Sequence, residues 1–287
     1  IMGQILGNSD IANWIGNRST STGLIDIMNA KLINSTIGTN PNESFKKGDA
    51  LPALWHWFAF PSPTHLNQLS DDGHPKHVGY IPPQNLTRRM WASGSLTFHS
   101  DLKIGEEITK DTTLLDIKEK KSQSGEMVFI TYEHKLRNSN KLAITETQNI
   151  VYLQASDTFN PPKKKDVPQS DYPLKKIAIS NPLLFRFSAL TFNAHRIHYD
   201  LKYAQEVEKY PHLIVHGPLQ ALFLMQYATV LLNSTPSNFT FRGVHPAFAD
   251  NPMELVAKTN NDNLTLYTTA NGHQCMEATA SCEKNDE

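Results

Sequence analysis

Residues 218–232, "PLQALFLMQYATVLL", limit what this chain can fold into more than any other stretch. As a helix they are apolar on nearly every face, so the helix cannot lie on a surface with one side in water and has to be enclosed. Gln220, Gln226 and Thr229 interrupt the run, and it is too short to span a bilayer. The cover must therefore come from other parts of the same chain.

The sequence that follows supplies a cover. Residues 239–248, 253–259, 264–270 and 274–280 are short runs rich in β-branched and aromatic residues. Asn, Gly, Pro or Asp bounds each of them, which reads as four strands. A strongly curved antiparallel sheet can wrap a helix on most sides, so an α+β layout is expected.

The pattern occurs twice. Residues 22–35 read as a helix, residues 51–60 ("LPALWHWFAF") as a compact apolar piece, and four strand-like runs follow at 93–100, 112–120, 126–136 and 143–153. Between the halves lies a segment, residues 154–176, with four prolines, a lysine run and few large aliphatics, which reads as a linker. The expected organisation is a degenerate duplication: 1–153, a linker at 154–176, and 177–287. Two such sheets set edge to edge make one continuous sheet and remove two exposed edges.

Composition excludes several classes of function. Hydrophobic residues make up 39% of the 287, charged residues 19%, and the net charge is −1, so nothing draws the whole molecule to nucleic acid or to a membrane surface. The one compact basic run, residues 163–165, has no interleaved aromatics on which bases could stack. Cys275 and Cys282 match no disulfide framework and no metal-ligand spacing, which fits a reducing compartment. No signal peptide is read at the N-terminus. A cytoplasmic location is expected, or a mitochondrial one in a eukaryote.

The chemistry-bearing residues border the enclosed helix. "FNAHRIHYD", residues 192–200, places Asn193, His195, His198 and Asp200 close together. Three readings are open for it. One H-x-x-H without a second ligand pair is a weak metal signal, and no metal is expected. Polar residues ahead of a helix often cap it, with Asn193 as the candidate cap. The third reading is an acid/base site. Asn193 and His198 would point about 140° apart on a regular helix at ~100° per residue, so they converge only if the chain turns sharply at Asn193. The second feature is "HGP", residues 216–218. Pro suits the first turn of a helix, and the Gly217 N–H would lie at the positive end of the helix dipole, where it can stabilise an oxyanion.

Together, "FNAHRIHYD" and "VHGPLQA" resemble the MaoC-like hydratase/dehydratase group of hotdog-fold proteins. The similar branch contains the type 2 hydroxyacyl-thioester dehydratases and the mesaconyl-C4-CoA (3-methylfumaryl-CoA) hydratases. In the first half, "LPALWHWFAF", "DDGHPKHVGYIPP", "RRMWASGSLTFHSDLKIGE" and "SGEMVFITYEH" are similar to that branch. The resemblance implies a double hotdog: a degenerate N-terminal hotdog, the linker, and a C-terminal catalytic hotdog, with one working site built mainly from the second half. It implies reversible hydration of a 2-enoyl thioester, with CoA or a carrier-bound pantetheine as part of the substrate and no separate cofactor. A homodimer of double hotdogs is an available assembly.

The wider group's motif runs Asp, any residue, Asn, Pro, aliphatic, His. Here Asn193 stands at the Asp position, His195 at the Asn, Arg196 at the Pro, Ile197 at the aliphatic and His198 at the His. An amide is no general base, so the resemblance gives the proton chemistry to His198, which would take the proton from water and return it to C2. Asn193 would position water or substrate, and Gly217 would hold the oxyanion. His195 and His216 are expected to bind substrate. Arg242 and the Arg88–Arg89 pair are candidates to meet a far-end carboxylate or the CoA phosphates. A hotdog thioesterase and a non-catalytic acyl-CoA binder are the rival readings.

Overall fold

The computed structural model describes residues 13–76, 86–122, 125–155, 157–261 and 263–282. Readings that fall at 1–12, 77–85, Ser124 and 283–287 lie outside the described residues.

Ten strands form one antiparallel sheet: β1 (Arg18–Gly23), β2 (Arg88–Phe98), β3 (Ile108–Ser122), β4 (Gly125–Asn138), β5 (Lys141–Leu153), β6 (Lys175–Ile177), β7 (Asn238–Gly243), β8 (Met253–Asn260), β9 (Asn263–Ala270) and β10 (His273–Ser281). The spatial order is β1-β3-β4-β5-β2-β7-β10-β9-β8-β6. The two halves meet where β2 pairs with β7, from Ser93 opposite Arg242 to Thr97 opposite Asn238. The single sheet expected from the duplicated pattern is therefore present. The short edge strands β1 and β6 have no comparable signal in the sequence, since "RSTSTG" and "KKI" carry little apolar alternation.

Among the described residues four α-helices accompany the sheet: α1 (Ile27–Ile37), α2 (Asn181–Leu190), α3 (Leu201–Glu206) and α4 (Gly217–Leu232). α4 is the enclosed helix. From Leu219 to Met225 every side chain is buried, and only its last turn reaches solvent, at Val230. Its polar interruptions are satisfied. Gln220 accepts from the Thr268 hydroxyl at 2.7 Å, the Gln226 amide donates to the Ile37 carbonyl at 3.0 Å, and the Thr229 hydroxyl donates to the Met225 carbonyl. These bonds offset the cost of burying polar groups.

The first half departs from the expectation that each half wraps a helix. α1 is capped by Asp26, buries Ala30, Ile33 and Ile37, and exposes Met28 and Leu32, so it is covered on one face only. The "WHWF" piece, placed like α4 in the chain order, forms one 3₁₀ turn, Trp55–Phe58. Pro52 and Pro61 leave too little sequence between them for a long helix. Aromatic packing fixes the turn instead: Trp57 meets Trp91 and Phe241 with ring centroids 5.0 and 5.9 Å apart. Beneath it, the buried carboxylate of Glu146 accepts from His56 Nε2 at 3.1 Å, Trp57 Nε1 at 2.9 Å and Gln148 Nε2 at 2.7 Å. Burial would raise the Glu146 carboxyl, but the hydrogen bond and charge of His56, with His134 and Gln148, hold it at about 2.

Candidate functional site

The "FNAHRIHYD" segment leaves the C-terminus of α2 through a sharp turn. Phe192 takes a left-handed φ of 51°, and the Asn193 N–H donates to the Ser188 carbonyl at 2.8 Å. The Asn193 side-chain oxygen accepts from the His195 N–H at 3.0 Å. The sharp turn demanded by the acid/base reading is therefore there, and Asn193 makes it. The capping reading finds its residue at Asp200, which accepts from the Tyr203 N–H at the start of α3 and binds the Arg196 guanidinium.

A 3₁₀ turn over Arg196–His198 then carries His198 inward. His198 Nδ1 lies 2.8 Å from the Ile214 carbonyl, and the Ile214 N–H donates back to the Ile197 carbonyl. A carbonyl only accepts, so the proton of the neutral ring sits on Nδ1 and Nε2 presents a lone pair. The ring stacks on His216 at 3.6 Å. His216 is the N-cap of α4, its Nε2 lies 2.8 Å from the Ser188 hydroxyl, and Gly217 is the first residue of that helix. An N–H in this position has no acceptor within its own helix. A Cβ built at Gly217 would have only the Met276 methyl and the Trp91 carbonyl within 4 Å, so the backbone there is approachable.

His195, His198 and His216 are all buried, and burial pushes each imidazole below its ordinary value. For His198 the result is about 4, with the Ile214 hydrogen bond opposing and the charge of His74 adding to the fall. The ring is therefore neutral at pH 7, and it is a weaker base than the ordinary histidine expected from the sequence.

The first half contributes more than the sequence suggested. Residues 71–74 of "DDGHP" dock on the same turn. The Arg196 N–H donates to the Asp72 carbonyl at 2.8 Å, and the Arg196 guanidinium donates to the Asp71 carbonyl at 3.0 Å. His74 lies against His195 with ring centroids 4.0 Å apart. Its Nδ1 is 2.8 Å from Asp72 Oδ2, which is 3.8 Å from His195 Nε2. A turn built from the second half is thus joined by a loop of the first half. Asp72 and His74 were legible only as part of the resemblance; no periodicity or spacing could tie them to a turn more than a hundred residues later.

Gly73 makes the docking feasible. Its φ is +92°, and a Cβ there would lie 1.8 Å from the Ala194 carbonyl oxygen. Gly73→Ala is expected to cost about 1–3 kcal/mol in local strain and to push the loop off the turn. Steady-state rates should show kcat/KM falling at least tenfold while far-UV circular dichroism stays native.

Two of the arginine candidates are not brought to this site as free cations. Arg242 points from the outer face of β7, where it binds Glu277 at 2.7 Å. Arg88 is committed to Glu208 through its Nε and Nη2 and lies over the Tyr210 ring. Elsewhere, a cleft of about 340 Å³ in the first half is lined by residues that include Leu54, His56, Phe98 and His99. Its imidazoles are already engaged, His56 with Glu146 and His99 with the Thr145 hydroxyl. Cys275 is buried and Cys282 exposed, both as free thiols. Among the described residues, no helix is long and apolar enough to cross a membrane.

The family model for hydroxyacyl-thioester dehydratase type 2 matches residues 54–249, which takes in the loop, the turn and the start of α4. The chain belongs to this family. It is 38% identical to the mesaconyl-C(4)-CoA hydratase of Chloroflexus aurantiacus over 263 residues, covering 91% of this chain and 93% of that protein. It is 27% identical to the mitochondrial hydroxyacyl-thioester dehydratase type 2 of Schizosaccharomyces pombe, covering 75% and 80%. Among solved structures, a MaoC-like dehydratase superposes with a TM-score of 0.69 over 95% of this chain and all of that one, at 14% identity. A Mycobacterium tuberculosis protein described as a double hotdog fold superposes with a TM-score of 0.56 at 12% identity, over 93% of this chain and 95% of that one. The fold of this family member is the double hotdog.

Proposed function

We propose that this chain catalyses the reversible addition of water across the double bond of a 2-enoyl CoA thioester, as a hydro-lyase. The observation that carries the reading is the stacking of the His198 ring, whose Nε2 carries the lone pair, on His216, the N-cap that precedes Gly217 at the start of an enclosed helix. The first can take a proton from water as its oxygen bonds to C3. The second can hold the negative charge that builds on the thioester oxygen, and one such donor is worth about 3–4 kcal/mol. Asn193 acts through the turn it makes rather than as a base. His195 and His216 wall the site, and His216 sets the ring plane of His198 by stacking. The proton chemistry is drawn from side chains alone, with CoA as part of the substrate.

A branched dicarboxylic acyl group of the mesaconyl-C4-CoA type is the finer reading, supported by the 38% identical relative. With Arg88 and Arg242 engaged by glutamates, Arg89 is the remaining member of the expected set, and its charge reaches His195.

The test is incubation with crotonyl-CoA and with mesaconyl-C4-CoA, following enoyl-thioester absorbance and free thiol. Loss of absorbance without thiol release is expected. Thiol release would make the protein a thioesterase, and binding with neither change would make it an acyl-CoA binder.

A further inference from the structure

The proposed reaction needs two proton transfers, one from water and one to C2. His198 has a single free nitrogen, because Nδ1 is held by the Ile214 carbonyl. That nitrogen would have to serve water and C2 in turn. The motif that this turn resembles has an Asp where this chain has Asn193, and an amide is no base. A carboxylate is nevertheless present, on the other half of the molecule.

We propose that Asp72 and His74 replace the missing carboxylate, with His74 as the second acid/base group, exchanging the C2 proton, and Asp72 as its positioning residue. Four observations support this. The Asp72 carboxylate accepts from His74 Nδ1 at 2.8 Å and from the His74 backbone N–H at 2.9 Å, which fixes the ring and leaves Nε2 as the nitrogen that can exchange a proton. Such a carboxylate–imidazole pair is the usual way of orienting a base. The loop is tied to the catalytic turn by Arg196, and Gly73 packs against Ala194, so the pair cannot drift from His198. His74 contacts His195, His195 contacts His198 and His198 stacks on His216 ahead of Gly217, so the loop imidazole belongs to the same cluster of rings as His198 and the start of α4. Finally, the His74 side chain is 18% exposed, so it can trade protons with water, whereas His198 is buried.

The assignment rests on the hydro-lyase reading. In the hydration direction His198 Nε2 takes a proton from water as the oxygen bonds to C3. The C2=C3 electron pair moves to the thioester, giving an enolate at Gly217. Protonated His74 then gives its Nε2 proton to C2 as the carbonyl re-forms. His198 loses its proton to the next water that enters, and His74 regains one from solvent. Dehydration reverses these steps, so His74 would remove the C2 proton before the hydroxyl departs.

The experiment uses 3-hydroxybutyryl-CoA in D2O, following C2–H exchange by mass spectrometry and dehydration by absorbance. His74→Gln should lose both by about 10²–10⁴-fold. His198→Ala should lose dehydration while C2–H exchange persists. Asp72→Asn keeps the backbone carbonyl that Arg196 uses. It should lower kcat and exchange together by at least about tenfold, with KM within threefold. Exchange unchanged in folded His74→Gln, or lost in His198→Ala, would overturn the assignment while leaving the hydro-lyase reading intact. A wild-type protein that neither hydrates nor dehydrates would remove both. Asp72, His74 and His195 could also gather around a metal ion, so the assay is repeated after chelation. Unchanged rates are expected; a loss restored by zinc would make the three residues ligands and overturn the proposal.

Discussion

His198→Ala is expected to lower kcat for enoyl-thioester hydration by about 10²–10⁴-fold, the usual contribution of a positioned acid/base group. KM should change little, because on the proposed mechanism the imidazole acts on water while Gly217 holds the thioester oxygen. The variant should stay folded. It leaves the Ile214 carbonyl without its donor, which costs about 1–3 kcal/mol. A kcat within threefold of wild type would remove His198 from the mechanism.

The same residue sets the acid limit. Burial holds His198 at about 4, so its neutral, proton-accepting form persists well below the ordinary histidine value of ~6.5. The limb of the kcat/KM profile that reports this group should therefore fall near pH 4. Stability should respond sooner. A histidine whose folded value lies below its unfolded value binds more protons when unfolded between the two, so stability is lost as pH falls through that window. From pH 6.5 to 4, His198 alone would withdraw up to about 3 kcal/mol, and buried His195 and His216 act in the same direction. Thermal melts at pH 7 and pH 4.5 check the sign: a Tm that rose on acidification would contradict it.

Glu146→Ala is expected to cost about 3–5 kcal/mol, the range for breaking a buried ionic cluster from one side. For a chain of this size that lowers Tm by roughly 10 °C. The carboxylate is almost fully enclosed and accepts from His56, Trp57 and Gln148; without it three donors lose their acceptor. The damage should reach the site. Trp57 packs on Trp91, whose backbone carbonyl lies beside Gly217. Glu146→Gln keeps the shape and one acceptor oxygen, so it should lose less. Equal melting curves for wild type and Glu146→Ala would show that the first half does not depend on this cluster.

Much of the fold was legible. Residues 218–232 are apolar around the whole helix, and each of the eight runs holds a strand, although the run at 239–248 is a strand only as far as Gly243. α2 went unread although Ser180 caps it and Pro182 lies in its first turn, because "LLFRFSAL" reads as an apolar run without a clear period. The edge strands went unread because pairing partners, not side chains, make them strands. In the first half, similarity of order suggested similarity of shape. Pro52 and Pro61 prevented it, and aromatic packing filled the space.

The sequence by itself determined the enclosed helix and its N-terminus at Gly217, because those depend on local residue type and spacing; the sharp turn before His198 is one of three readings it leaves open, and the class of chemistry follows from the resemblance to a known family. The tertiary structure alone decided which nitrogen of His198 is free, that Arg88 and Arg242 are engaged, and that Asp72 and His74 join the turn. Each of those rests on a contact outside its own element, 16 residues away for His198 and Ile214, 35 for Arg242 and Glu277 and 120 for Arg88 and Glu208, and neither local propensity nor spacing names such a partner.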